Sequence, residues 1–237
     1  MYKKPKSRWD VAQKYESNWW KNNANFISDN YYKIVADNLR NMLKTPVRAE
    51  CRIVEIGCGP IGIVTFLTEC EHRYALDPLN DFFINESYFN KFRDSNVKYL
   101  TSKGEKLDFA DNSFDICIMD NVLDHCENPD NVLSEIYRVL DDGYFYFTQN
   151  TYTFWGKFLR KFTELFMIDK GHPHTYTKNA LKKQFKHLGF NVLEQTQTGY
   201  FSQWQRLIKS KRFYDKIQAL LLIPRNKVTF FCKLNKC

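Results

Sequence analysis

The chain has 237 residues, 43% of them hydrophobic and 26% charged, with a formal net charge of +8. That length supports one good core with a cap or insertion, not two full domains. No run approaches the ~20 apolar residues of a membrane helix, and the basic start MYKKPKSRWD lacks the apolar stretch of a signal peptide. Seven cysteines, an odd number without framework spacing, read as reduced thiols of a cytoplasmic protein. Residues 1–50 carry ten Lys/Arg against five acids, residues 51–202 sixteen against twenty-one, and residues 203–237 nine against one. Basic ends around an acidic middle suit solvated surface helices, or a rim for an anionic substrate, a membrane surface or nucleic acid.

Trp9 to Trp20 and Phe26 to Leu43 are expected to form two amphipathic helices. Val11, Tyr15 and Trp19 share one face of the first; Ile27, Tyr31, Ile34, Leu39 and Met42 share one face of the second. Together they make a helical N-terminal cap over residues 1–46, closed by Thr45-Pro46. Residues 47–237 then form the main domain, with insertions at 150–176 and 199–227.

Arg52-Ile53-Val54-Glu55-Ile56 is a β-rich run, followed by the glycine turn Gly57-Cys58-Gly59-Pro60-Ile61-Gly62. Ile63 to Leu67 is expected to open a helix, and His72 to Leu76 a second strand ending in Asp77. Strand, glycine turn, helix and strand with a terminal acid make a nucleotide-binding βαβ unit. The pattern is GxGxxG, and Asp77 lies twenty residues after Gly57, so a dinucleotide would also fit. Two features decide against it: the sequence further on, from Gly104 to His125, and Glu55, because a carboxylate before the turn repels a pyrophosphate but suits a ligand carrying an ammonium and a sulfonium.

Residues 79–93 are expected to be helical and Asn96 to Thr101 a third strand. That strand leads into the loop Gly104-Glu105-Lys106-Leu107-Asp108-Phe109. Phe114 to Asp120 is nearly continuously apolar, as a central parallel strand should be. Asn121 to His125 follows at its C-terminal end, where open α/β sheets hold ligands. Asn128-Pro129 starts a helix that buries Val132, Leu133, Ile136, Val139 and Leu140. Asp141-Asp142-Gly143 is expected to turn the chain into a fifth strand, Tyr144 to Thr148. An aromatic, basic insertion follows, ending in Gly171-His172-Pro173-His174. Thr177 caps a helix stopped by Gly189; Phe190 to Thr196 and Val228 to Leu234 are read as an antiparallel edge pair.

The residues Glu55-Ile56-Gly57-Cys58-Gly59, Asp77, Gly104 to Phe109, Phe114-Asp115 and Asn121 to His125, through Leu140-Asp141-Asp142-Gly143, resemble a class I S-adenosylmethionine (SAM)-dependent methyltransferase of the type 11 group. The resemblance covers about residues 50–150 plus the final strands. It implies an α/β fold: a three-layer, Rossmann-like, seven-stranded methyltransferase sheet with an antiparallel final strand. It also implies SAM as cofactor and S-adenosylhomocysteine (SAH) as product. Glu55, Gly57, Cys58 and Gly59 would surround the methionine moiety and Asp77 would take the ribose hydroxyls. Gly104 and Glu105 would lie near the adenine, with Asp120 and Asn121 closing the methionine side. One departure is Ile61, where many members have glycine; Gly62 comes one residue later.

Methyl transfer to a hydroxyl needs a base, and the candidates are His125, Asp124, His172 and His174. No metal site is assigned, because His-x-His without a third nearby ligand is weak. The expected reaction is methylation of a small-molecule acceptor, at a hydroxyl oxygen, with a sugar or lipid-linked intermediate as one such acceptor. The segment 203–227 is either a lid on the core or an interfacial helix meeting a membrane. RNA methylation is the minority reading: base-amino methyltransferases carry Asn/Asp-Pro-Pro-aromatic after the fourth strand, and this chain has Asp120-Asn121-Val122-Leu123. A catalytically inactive methyltransferase fold used for binding is the non-enzyme alternative.

Overall fold

The strands β1 (Arg52–Ile56), β2 (His72–Asp77), β3 (Val97–Thr101), β4 (Phe114–Asp120), β5 (Leu140–Thr151), β6 (Phe190–Thr198) and β7 (Asn226–Leu234) form one sheet in the order β3-β2-β1-β4-β5-β7-β6. This is seen in a computed structural model, which describes residues 7–24, 27–165 and 171–236. β1 to β5 pair in parallel, and β7 inserts antiparallel between β5 and β6. The expected antiparallel pair is therefore present at the sheet's edge, with β6 outermost and β7 alone reversed.

Side chains alternate across the strands and so divide the core into two layers. Cys117, Met119, Phe145, Phe147 and Phe230 face one side. There they meet Val132, Leu133, Ile136 and Val139 of α5 (Pro129–Val139) and Leu181 and Phe185 of α7 (Lys178–His187). Ile53, Ala75, Ile116, Ile118 and Phe231 face the other side, against Val35, Ala36 and Leu39 of α2 (Asp29–Met42). Asn128 caps α5 by accepting the Asn131 amide, and Thr177 caps α7 by accepting the Ala180 amide, as the sequence implied.

Three expectations are corrected. The helix after the glycine turn is a single 3-10 turn, Ile63–Phe66. Gly62 sits at φ +87° before it, a left-handed conformation that disfavours the side chain of any other residue. Strand side chains then take the turn's exposed backbone groups: Glu55 Oε2 accepts the Val64 amide at 3.0 Å, and Arg73 donates to the Val64 and Thr65 carbonyls at 3.1 and 3.2 Å. With both ends satisfied, the chain returns at once to His72 and β2.

Asp141-Asp142-Gly143 is not a turn before β5 but an irregularity inside it. β5 begins at Leu140, and its register with β4 shifts between Phe114 and Ile116. Asp115, opposite the irregularity, accepts from both Arg52 and its backbone amide, which anchors the bulge side of β4 to β1.

The helical faces also differ. α1 (Arg8–Asn23) is capped by Ser7 and Asp10 in a reciprocal box, but Tyr15 and Trp19 are about half exposed. It turns Trp9, Gln13, Glu16 and Trp20 inward, because it covers a polar cavity rather than an apolar layer. In α2 the buried stripe is Val35, Ala36 and Leu39, while Ile34 is exposed. The expected helix start at Phe26 and part of the aromatic insertion, residues 166–170, lie outside the described residues.

The segment 79–93 holds two short helices, α3 (Asn80–Asn85) and α4 (Ser87–Asn90). The insertion after β5 forms α6 (Phe154–Leu165), and the segment before β7 forms α8 (Tyr200–Lys209) and α9 (Phe213–Leu220).

Candidate active site

β1 and β4 are neighbours whose chains leave in opposite directions, so a crevice opens at their C-terminal ends. The glycine turn enters it first. Gly57, at φ +72°, and Cys58 donate their amides to the Leu76 carbonyl at 2.7 and 3.0 Å, folding the turn against β2. A Cβ on Gly57 would lie 2.4 Å from Val122, so glycine is required there on two grounds.

All nine residues expected around the cofactor line one cavity of ≈ 270 Å³: Glu55, Gly57, Cys58, Gly59, Asp77, Gly104, Glu105, Asp120 and Asn121. The acids also hold the walls. Asp77 Oδ2 accepts the Gly59 amide at 2.9 Å and its Oδ1 accepts Leu79 at 2.8 Å. Glu105 Oε1 accepts the amides of Glu127 and Asn128 at 2.7 and 3.1 Å. Asn121, at φ +58°, donates its amide to Thr148 and accepts from Asn150 at 2.9 Å, tying β4 to β5. Asp120 is held by Thr148, by Tyr31, and by Lys227 at 3.2 Å.

The cavity is strongly acidic in a basic protein. Five carboxylates line it (Glu16, Glu55, Asp77, Glu105 and Asp120) with one lining lysine, Lys103, while Lys227 pairs with Asp120 from the wall. Burial pushes the Glu55 carboxyl up to about 8 and Asp77 up to about 6. The Val64 amide opposes the rise at Glu55, and the Leu79 and Gly59 amides oppose it at Asp77. Removal from water penalises the charged form, and a cation in the cavity would relieve that penalty. Burial likewise holds the Cys58 thiol well above its usual range.

The candidate bases separate. His125 lines the cavity, with Nδ1 3.7 Å from Glu16 and Nε2 3.6 Å from Asp124. Asp124 is buried behind it, and its Oδ1 has no hydrogen-bond partner among the described residues. The His172 ring lies 4.7 Å from His125, bringing ligand-type atoms of Asp124, His125 and His172 within 4.8 Å of one another. His174 stands apart from the cavity. Its Nε2 bonds the Cys126 carbonyl at 2.9 Å, and its amide donates to Asp124, so it fastens the two loops together.

Sequence reasoning missed several lining residues. Trp9, Gln13, Glu16 and Trp20 recur at helical spacing and could have been found as a polar face with tryptophan ends. Lys103 holds α1 down, its ammonium 3.6 Å from the Trp9 ring centre. Tyr32 of α2 and Lys227 of β7 reach the site from distant sequence, and no local signal marked them.

Residues 54–147 match a family described as "Methyltransferase domain". A sterol 24-C-methyltransferase from Candida albicans is 25% identical over 164 residues, covering 63% of this chain and 42% of its own length. An uncharacterized methyltransferase from Schizosaccharomyces pombe is 30% identical over 107 residues, covering 41% of this chain and 38% of its own. The chain thus spans less than half the length of these two curated relatives. A Haemonchus contortus phosphoethanolamine N-methyltransferase superposes with a TM-score of 0.70 at 15% identity, over 99% of this chain and 62% of that one. Residues 54–147 thus match the methyltransferase-domain family, and the seven-stranded sheet has the Rossmann-like fold of this solved methyltransferase.

Proposed function

We propose that this chain binds SAM in the acidic cavity and transfers its methyl group to a small-molecule acceptor, at a hydroxyl oxygen. The observation that carries the cofactor is the excess of acid at the cavity, five carboxylates against Lys103 in the lining and Lys227 behind Asp120. A pyrophosphate would meet mainly like charge there, whereas a ligand with an ammonium and a sulfonium meets opposite charge. Buried Glu55, raised by desolvation, fits such a ligand and disfavours a dinucleotide, while Asp77 suits the ribose of either. The structural relative described above was solved with SAH, and its cofactor is consistent with this fit.

SAM would supply an electrophilic methyl carbon on a sulfonium, ready for displacement. The chain's residues do the rest. Glu55 and the glycine turn hold the charged end, and the unused lone pairs of Asp77 accept ribose hydroxyls. α1 closes the cavity with Trp9 and Trp20 and keeps water from competing. His125 takes the acceptor's proton, with Asp124 stabilising the resulting imidazolium.

A base at the cavity suits a hydroxyl acceptor, which must lose its proton as the new bond forms. The relatives' names cover carbon and nitrogen acceptors, so family membership alone does not choose the atom. Incubation with methyl-labelled SAM and matched hydroxyl, amine and carbon-acid acceptors tests this. Label transferred to oxygen supports the reading; transfer only to nitrogen or carbon contradicts it.

A further inference from the structure

We infer that the surface made by α6, α8 and α9 docks on an anionic lipid bilayer. The four most exposed large hydrophobic side chains among the described residues all belong to it: Phe154 at 86%, Leu220 at 83%, Phe213 at 78% and Phe201 at 76%. Soluble surfaces carry such side chains singly; grouped, they mark a contact surface.

Three contacts group them. Trp155 of α6 donates to the Leu221 carbonyl at 3.1 Å. Tyr200 of α8 donates to Leu222 at 3.4 Å, and Trp204 to Ala219 at 3.0 Å. The three helices therefore converge on the end of α9, where Leu220, Leu221 and Leu222 are all exposed.

Charge selects the occupant. Residues 203–225, which carry α8 and α9, hold six Lys/Arg against one acid. That acid, Asp215, is occupied by the Ser210 hydroxyl. On α9, Phe213, Lys216 and Leu220 share one exposed helical face. On α8, exposed Arg206 and Lys209 flank Phe201 and Ile208. Short helices with exposed aromatics and basic flanks are built to lie in a headgroup layer. Among the described residues no helix is long and apolar enough to cross it.

The surface also adjoins the cavity. β7 starts at Asn226, four residues after Leu222, and the next residue, Lys227, reaches Asp120 in the cavity wall. Docking would hold the cavity close to the bilayer. Only the corollary that the acceptor has a lipid part rests on the methyl-transfer reading; the docking itself does not.

The test is cosedimentation of the full chain with vesicles of phosphatidylcholine alone and of phosphatidylcholine with phosphatidylglycerol. Binding is expected to the anionic vesicles, weakening as salt rises. The pair Lys209→Glu and Arg212→Glu should reduce it by about fivefold per basic residue removed. Phe213→Ser with Leu220→Ser should also reduce it, while SAH binding and thermal melting confirm that both variants fold. Equal binding to both vesicle types, no binding, or variants that bind like the wild type would overturn the proposal. So would sedimentation equilibrium showing an oligomer that the Phe213→Ser, Leu220→Ser variant dissociates, because a second copy would then cover the surface.

Discussion

The Asp77 carboxylate reaches back across the cavity floor to the Gly59 amide, 2.9 Å away, and so joins the end of β2 to the glycine turn. The same side chain braces the turn and, in our account, receives the ribose. These duties separate on substitution. Asp77→Ala removes two backbone hydrogen bonds to a charged acceptor, each worth about 1.5–3 kcal/mol. Calorimetry should show SAH affinity falling at least about tenfold, and the ligand-free melting temperature should drop as well. A loss of stability with unchanged affinity would confine Asp77 to bracing.

Glu55 gives the ligand-free protein a distinctive pH response. Burial raises its carboxyl from an ordinary 4.5 to about 8. The native state therefore retains a proton that the unfolded chain has released. Its contribution to stability is complete below about pH 4.5 and is lost as pH rises through about 8. Against Glu55→Gln, the wild type should lose stability progressively across that window in urea titrations. Parallel curves for the two proteins would contradict the assignment.

Ligand binding should reverse that protonation. A cationic cofactor favours the charged carboxylates, so SAM binding near pH 7 should release protons from Glu55. Titrations in buffers of different ionisation enthalpy count them directly. The release should shrink in Glu55→Gln.

α1 contributes one fully buried apolar residue, Ala12, so its position depends on the cavity more than on the core. Trp20 packs edge-on against Phe83 with ring centres 6.0 Å apart, and the space a Gly59 Cβ would fill lies 3.7 Å from its ring. Trp20→Ala should speed SAH dissociation in stopped-flow measurements while changing the melting temperature little. A large melting shift with unaltered dissociation would make α1 part of the core instead.

For the base, His125→Ala should lower kcat by about 10²-fold or more with SAH affinity retained. His174→Ala should instead lower stability through its lost bond to Cys126, with kcat little changed.

Most of the sheet was legible because its strands carry local signals. The apolar run Phe114–Asp120 matches β4 at both ends, and Asn128-Pro129 and Thr177 marked two helix starts that the structure reproduces. The glycine turn and Asp77 were legible because their chemistry is local. The 3-10 turn was not, because Glu55 and Arg73 complete it from separate strands. The inner face of α1 was hidden for a related reason. Its burial follows from a polar cavity, so hydrophobic periodicity pointed to the wrong side. The meeting of Asp124, His125 and His172 depends on two distant loops, and only the folded chain brings them together.

Five carboxylates suit this cavity to a sulfonium cofactor and not to a dinucleotide. Thermal melting with SAM and with SAH, beside NADH and on Asp77→Ala, separates the two. A ligand that binds only the native state, at a hundred times its Kd, stabilises by about 2.7 kcal/mol. The expected result is a clear shift with the ligand that Asp77→Ala cuts to about half or less, and none with NADH. A shift with NADH alone, or no shift with SAH, would contradict it.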